Sequence, residues 1–262
     1  MSPSRSPIPR LLIAIGALVA AGLIGYFVAA SVTHVDVSRL KPATPPKAST
    51  PAPQPTPLAD LGRAALASVV TVETERTTEE ALGTGWLLDS HGDFVTNAHV
   101  VEGQLSVRIT DRHDKTHVGV VVGMDTNQDI AVVRSSDGFG GTPLPVDSTP
   151  ISTVPQDVIA LASSRATGQS DMTQERLVLL HQDVPLQNGE VQPGTSAPPV
   201  YHDMLNLSGA RVYQGNSGGP LLDGKGRVIG IITLASPSGD EAFAIPLSRV
   251  LAELQQFAAK PG

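Results

Sequence analysis

The sequence contains no cysteine, and only 3% of its 262 residues are aromatic. Without cysteine the protein cannot hold a disulfide framework, a cysteine-ligated zinc ion, an iron–sulfur cluster or a thiol nucleophile. A formal net charge of −7 argues against a nucleic-acid partner, because phosphate binding requires clustered lysine and arginine. The 22 prolines and 25 glycines disfavour a mostly helical fold.

A long uncharged run lies near the amino terminus, from Leu11 to Val32. As a helix it would rise about 33 Å, which matches the roughly 30 Å hydrocarbon core of a bilayer. We therefore predict residues 1–10 as a short tail and residues 11–32 as a single-pass signal-anchor in the cell membrane, with the rest of the chain exported. Secretion after signal-peptide cleavage is the alternative, since the small residues 28–30 resemble a cleavage site.

Residues 33–58 are predicted to form a proline-rich linker. Seven prolines fall between Lys41 and Leu58, interleaved with small and polar residues. This composition cannot bury a core and favours extended polyproline II, which acts as a semi-rigid spacer. A proline-rich ligand for a recognition domain is the alternative interpretation.

Beyond the linker the hydrophobic pattern predicts an all-β domain over residues 59–262, because many short strands alternate with turn residues. The predicted strands span residues 68–75, 82–89, 94–96, 105–110, 117–124, 130–134, 158–162, 176–181, 220–222, 228–234 and 242–245. Residues 247–258 instead show helical spacing after Pro246. The long polar segment between Leu161 and Arg211 is predicted to contain surface loops at 163–174 and 187–199.

Three short segments carry the residue types of nucleophilic catalysis. They are QGNSGGPLL (residues 214–222), FVTNAHVV (residues 94–101) and QDIAVV (residues 128–133). A serine hydroxyl becomes nucleophilic when an imidazole accepts its proton, and a carboxylate orients that imidazole. Ser217, His99 and Asp129 supply these three groups.

The order of these residues along the chain excludes two unrelated folds. An α/β-hydrolase needs its acid and histidine after the serine, but the last histidine of this chain is His202. The subtilisin order needs an acid well before His99 in an α/β domain, which the strand pattern opposes. The order histidine, aspartate, serine remains.

The segments 83–103, 125–133 and 215–231 resemble those of trypsin-like serine proteases, in particular the bacterial HtrA/Deg branch. The resemblance implies a chymotrypsin-like double β-barrel, with barrel one at about 68–140, barrel two at about 150–245, and the active site between them. It implies that the protein acts on protein or peptide substrates without a cofactor or metal ion. The resemblance also raises a homotrimer as a candidate assembly of the protein.

By this resemblance His99 is the general base, Asp129 its orienting partner and Ser217 the nucleophile. The backbone N–H groups of Gly215 and Ser217 would form the oxyanion hole. The edge strand that pairs with substrate backbone would be Thr233, Leu234 and Ala235.

Departures from the family pattern lead to three further expectations. The chain ends four residues after the predicted helix, so no following PDZ domain is expected. Asn216 replaces the acidic residue that pairs with a newly cleaved amino terminus in digestive trypsins, which predicts no activation by such cleavage. Arg211 lies where trypsin-like enzymes place the floor of the S1 pocket, which raises an acidic P1 residue as the alternative to the apolar P1 preference of the HtrA branch.

These observations predict an exported serine endopeptidase that acts in envelope protein quality control or regulated proteolysis. The alternative is a non-hydrolytic binding or chaperone-like module that holds its targets on the strand 233–235. His113 and His117 have an i, i+4 spacing but lack the glutamate of H-E-x-x-H, so no metal site is predicted there.

Overall fold

The computed structural model describes residues 57–75, 80–168, 171–186, 196, 200–209, 212–236 and 240–261. The predicted anchor, all but the last two residues of the predicted linker, Arg211 and nearly all of the predicted loop 187–199 lie outside these residues. Within the described part of the chain, no helix combines the length and apolar character needed to cross a membrane.

The first half of the described chain forms a closed barrel of six antiparallel strands, joined in the order β1-β2-β3-β6-β5-β4. The strands are β1 Val69–Glu75, β2 Glu80–Leu87, β3 Asp93–Thr96, β4 Ser106–Thr110, β5 Thr116–Asp125 and β6 Ile130–Ser135. Alternating apolar side chains such as Val70, Val72, Ile109 and Val133 fill its interior and are fully or almost fully buried. This is barrel one.

Barrel two repeats the same architecture, with the strand order β10-β11-β12-β9-β8-β7. Its strands are β7 Gln156–Leu161, β8 Met172–Pro185, β9 Val200–Ser208, β10 Pro220–Leu222, β11 Val228–Ala235 and β12 Glu241–Pro246. The prediction of an all-β, chymotrypsin-like double barrel is therefore confirmed.

Four α-helices accompany the barrels in the described residues: α1 Leu58–Ala65, α2 Ala98–Val101, α3 Ser164–Thr167 and α4 Leu247–Ala258. Helix α1 packs on β7 and β8 of barrel two. Helix α4 is the predicted C-terminal helix, and it crosses to β5 and β6 of barrel one while still contacting β11. Its buried face includes Val250, Leu254 and Phe257, which lie at the predicted helical spacing.

The largest apolar cluster lies between the barrels. It joins Trp86, Val95 and Ile130 of barrel one to Ile159 and Met204 of barrel two, and it includes the buried face of α4. Side chains packed this closely hold the two barrels in a fixed relationship. Residues carried by different barrels can therefore form one site.

Two features of barrel two differ from the sequence prediction. Strand β9 was not predicted, and β8 is longer than the predicted strand 176–181 at both ends. The pairing of β8 with β9 shifts register three times, and both His181 and Asp203 have positive φ angles. These bulges break the period-two alternation by which a strand is recognised in a sequence.

Candidate active site

His99 lies in α2, a single helical turn that follows β3. The turn is anchored by the buried side chain of Asn97, which donates a hydrogen bond from Nδ2 to the Asp129 carbonyl oxygen at 2.7 Å. The backbone N–H of His99 donates to Asp129 Oδ1 at 3.0 Å. Both bonds join the histidine turn to the residue that precedes β6.

The carboxylate of Asp129 is 99% buried and lies directly against the imidazole, with its Oδ2 2.9 Å from His99 Nδ1. Two hydroxyl groups from barrel two donate to the same oxygen. They are Thr233 Oγ1 and Tyr201 Oη, each at 3.1 Å. A buried charge requires such partners, and a carboxylate fixed in this way orients the imidazole.

Ser217 lies on a tight turn between Gly215 and Gly218, whose φ angles are +96° and +87°. Side chains rarely tolerate these conformations, so the sequence needs glycine at both positions. The turn is tied to β11, because Gly218 N–H donates to the Ile232 carbonyl oxygen at 2.8 Å. The Ser217 hydroxyl donates to the carbonyl oxygen of Thr233 at 3.3 Å.

Thr233 thus connects two of the predicted catalytic residues. Its carbonyl accepts the Ser217 hydroxyl, and its side chain donates to Asp129. Asp129 in turn contacts His99. The structure therefore brings all three sequence-predicted catalytic residues together at the junction of the barrels.

Thr84 of β2 holds the serine turn from the side of barrel one. Its backbone N–H donates to the Ser217 carbonyl at 2.8 Å, and its hydroxyl donates to the Gly215 carbonyl at 2.7 Å. That hydroxyl also accepts the backbone N–H of Ser163 at 3.0 Å. The carbonyls of Gly215 and Ser217, the two predicted oxyanion residues, are therefore both engaged by one fully buried residue.

Helix α3 supports the other side of the serine turn. A Cβ atom added to Gly215 would lie 2.4 Å from the carbonyl oxygen of Ala166, which shows how closely the two segments approach. Arg165 of the same helix donates to Glu73 of barrel one at 2.9 Å.

Glu73 is a nearly buried carboxylate that also accepts hydrogen bonds from Arg108 at 2.9 Å and Thr110 at 3.1 Å. Burial by itself would raise the pKa of Glu73. The hydrogen bonds from Arg108, Arg165 and Thr110 outweigh burial, so the pKa lies below its usual value. The carboxylate is therefore held ionised as an anchor for α3.

Asn216, the residue that replaces an acid in the expected pattern, caps its own turn. Its side-chain Oδ1 accepts the backbone N–H of Tyr213 at 3.0 Å, and its backbone N–H donates to the Tyr213 carbonyl, also at 3.0 Å. The turn before Ser217 is thus closed by local hydrogen bonds in the intact chain.

The predicted substrate strand is the end of β11. Leu234 and Ala235 pair with Phe243 and Ala242 of β12, while the pairing of β11 with β10 extends only from Val228 to Ile231. A cleft of about 400 Å³ lies alongside. Seven of its twelve lining residues are apolar, among them Leu179, Val184, Leu234 and Phe243, and five are polar or acidic, among them Asp183 and Glu241.

Two six-stranded barrels with a His–Asp pair and a glycine-flanked serine at their junction define the class of chymotrypsin-like proteins. The family model of the trypsin-like peptidase domain matches residues 83–231. The chain belongs to this family.

The similar proteins include DegP-like and HtrA-like serine proteases. The putative serine protease HhoA of Synechocystis is 33% identical over 181 residues, which cover 68% of this chain and 43% of the relative. Magnetosome formation protease MamE of Magnetospirillum gryphiswaldense is 32% identical over 174 residues, covering 64% of this chain and 21% of the relative. The chain spans less than half the length of these curated relatives.

Solved structures agree in fold. The active form of the Rv3671c protease from M. tuberculosis superposes with a TM-score of 0.63 at 25% identity, covering 84% of this chain and 96% of that one. The HtrA-type protease AlgW with a tripeptide also gives a TM-score of 0.63 at 25% identity, with 78% of this chain and 64% of that one covered.

Sequence reasoning missed two residues that shape the site, Thr84 and Tyr201. Thr84 lies within the segment Gly83-Thr84-Gly85 of β2, and glycines inside a strand signal a close backbone approach. Tyr201 lies in β9, which was not predicted, and no pattern in the sequence connects it to Asp129.

Proposed function

We propose that this protein is an exported serine endopeptidase of the HtrA type that uses His99, Asp129 and Ser217 as its catalytic residues. The bridge through Thr233 is the observation that carries this proposal. It links the Ser217 hydroxyl to the carboxylate that contacts His99. A serine or histidine with only a structural role would not need to be connected to a buried carboxylate in this way.

In this mechanism His99 accepts the Ser217 proton while Oγ attacks the substrate carbonyl, and Asp129 stabilises the imidazolium that forms. The N–H groups of Gly215 and Ser217 donate to the developing oxyanion. His99 then protonates the leaving amine, and water hydrolyses the acyl-enzyme by the same route. No cofactor is required for these steps.

Substrate backbone would pair with the strand Thr233–Ala235. The neighbouring cleft presents Leu234 and Phe243, which could receive an apolar side chain of the substrate beside the polar residues that share the lining. Profiling a peptide library measures this preference. Strong selection of aspartate or glutamate at P1 would instead assign the specificity to Arg211.

The decisive experiment treats the folded protein with a serine-directed fluorophosphonate probe. We expect labelling of the wild type, none of Ser217→Ala, and unchanged labelling of Ser106→Ala, which removes an exposed hydroxyl on β4. If the folded wild type were not labelled at Ser217, the enzyme proposal would fail. The non-hydrolytic binding module would then be the better interpretation.

We propose further that residues 11–32 anchor the enzyme in the cell membrane and that residues 33–58 hold it away from the surface. Its substrates would then be proteins of the cell envelope. Extraction of membranes at alkaline pH should leave the full chain in the membrane fraction. Recovery of a soluble form whose amino terminus lies just after Ala30 would support cleavage instead. Sedimentation of the exported part tests for the homotrimer.

A further inference from the structure

Among the described side chains that hydrogen-bond to the Asp129 carboxylate, Tyr201 is the one to which neither the sequence nor the mechanism above assigns a role. It lies at the start of β9 in barrel two, whereas Asp129 precedes β6 in barrel one. Its hydroxyl donates to Asp129 Oδ2 at 3.1 Å, across the boundary between the barrels. The tyrosine is 3% exposed and its ring belongs to the apolar cluster that joins the barrels.

The phenol can act only as a donor in this position. Burial, and then the negative charge of Asp129, raise the pKa of Tyr201 well above its usual range. The hydroxyl therefore keeps its proton throughout the range in which a serine peptidase works. A carboxylate that accepts such a bond is fixed in position and gives up part of its negative charge to the donor.

Other charged groups near the tyrosine do not compete for this contact. On the same strand, His202 and Asp203 lie at the surface and pair with Asp183 and His181 of β8. Arg249 of α4 donates to the His202 carbonyl oxygen. The charged group that faces the phenol is Asp129, with His99 on its far side.

We infer that Tyr201 is a positioning residue, which acts through Asp129 to set the orientation and basicity of His99. Together with Thr233 it fixes Asp129 from barrel two, the barrel that carries Ser217. The general base of barrel one, His99, is thereby held in place relative to the nucleophile of barrel two, Ser217. This inference rests on the proposed serine-peptidase function.

The test compares wild type with Tyr201→Phe, which keeps the ring and removes only the donor. The readout is the rate at which the fluorophosphonate probe labels Ser217, measured from acid to alkaline pH. Without the hydroxyl donor, the Asp129 carboxylate retains more negative charge beside His99, which stabilises the protonated imidazole. The imidazole therefore stays protonated to a higher pH. We expect labelling about two- to tenfold slower at neutral pH, the effect expected for the loss of one ordinary hydrogen bond. The acid limb of the pH–rate profile, where labelling slows because His99 becomes protonated, should shift to higher pH.

Two further proteins separate positioning from simple support of the fold. Site-specific 3-fluorotyrosine at position 201 has a more acidic phenol and is a stronger donor, so the acid limb should move below that of the wild type. Met204→Leu changes an apolar side chain of the same strand and the same cluster, which cannot donate to a carboxylate. It should leave the pH profile unchanged even where thermal stability falls.

The possible failures can be distinguished. If wild type labels at Ser217 but Tyr201→Phe gives the same rates at every pH, this inference is wrong and the proposed function stands. It is equally wrong if Met204→Leu shifts the profile as much as Tyr201→Phe does. If folded wild type does not label at all, the proposed function fails and this inference fails with it.

Discussion

The hydroxyl of Thr84 donates to the carbonyl oxygen of Gly215 at 2.7 Å, which joins the second strand of barrel one to the turn that carries the nucleophile in barrel two. The same hydroxyl accepts the N–H of Ser163, and the residue has no exposed surface. Because the hydroxyl and the Gly215 carbonyl are both buried, removing the hydroxyl would leave that acceptor without its partner.

Thr84→Val should therefore lower kcat more than it changes KM. Loss of the hydroxyl frees the Gly215–Asn216 peptide, which lies between the two predicted oxyanion N–H groups, to shift and displace them. The oxyanion contact exists mainly in the transition state. We expect a loss of about tenfold or more in kcat, whereas Thr84→Ser, which keeps the oxygen, should retain most of it. Steady-state kinetics on a cleaved peptide measures both. Equal kcat values for the Val and Ser variants would contradict this role.

Gly215→Ala should damage both folding and catalysis. The φ angle of +96° disfavours any side chain, and the new Cβ would lie 2.4 Å from the backbone oxygen of Ala166. Either the turn or α3 must move, and loss of one oxyanion donor costs about a hundredfold or more in kcat. Gly224→Ala is the matched control, since a Cβ there meets no atom within 4 Å. Similar kinetics for the two variants would show that the turn has room to adapt.

Glu73 should stabilise the protein in a pH-dependent way. Its pKa in the folded protein lies below the usual value near 4.5, so its contribution is fully present above that pH. The contribution is lost as the pH falls through the lowered folded value, because protonation breaks the bonds from Arg108 and Arg165. The difference in Tm between wild type and Glu73→Gln should be large at neutral pH and shrink below about pH 4. A difference that stayed constant down to pH 3 would contradict this assignment.

Arg134 should be important for stability, because it neutralises a carboxylate with no exposed surface. It donates to Asp93 from Nε at 2.8 Å and from Nη2 at 2.9 Å, and Nη1 donates to the Lys260 carbonyl beyond α4 at 2.8 Å. Arg134→Met should lower the free energy of unfolding by about 3–5 kcal/mol, since it leaves a buried charge unpaired.

Urea denaturation measures this loss, and the second variant Arg134→Met/Asp93→Asn should recover part of it. The control is Arg63→Met, which breaks an exposed arginine–aspartate pair with Asp60 and should change stability little. A small effect of Arg134→Met would mean that water reaches Asp93 in the folded protein.

Local strand and turn signals were sufficient for an all-β domain, and the resemblance to trypsin-like proteases added the double barrel and the pairing of His99 with Asp129. The glycines around Ser217 signal a tight turn, and residues 247–258 show the spacing of an amphipathic helix. Each of these signals depends on neighbouring residues, and each matches the structure locally.

Contacts between distant elements could not be predicted in this way. The bonds from Tyr201 to Asp129 and from Thr84 to Gly215 join residues 72 and 131 positions apart. Strand β9 was missed because its bulges interrupt the alternation, and with it the tyrosine was missed. The hydrogen bond from Arg165 to Glu73 was also not predicted, because α3 lies in a segment predicted as a surface loop.

The two terminal helices connect the two halves of the molecule. Helix α1 precedes barrel one but packs on barrel two, and α4 follows barrel two but packs on β5 and β6 of barrel one as well as on its own barrel. A single cut in the connection between β6 and β7 would therefore give two polypeptides, each carrying an element that completes the other. We expect the nicked protein to remain one particle, and halves produced separately to be interdependent, with the site restored only on their reunion.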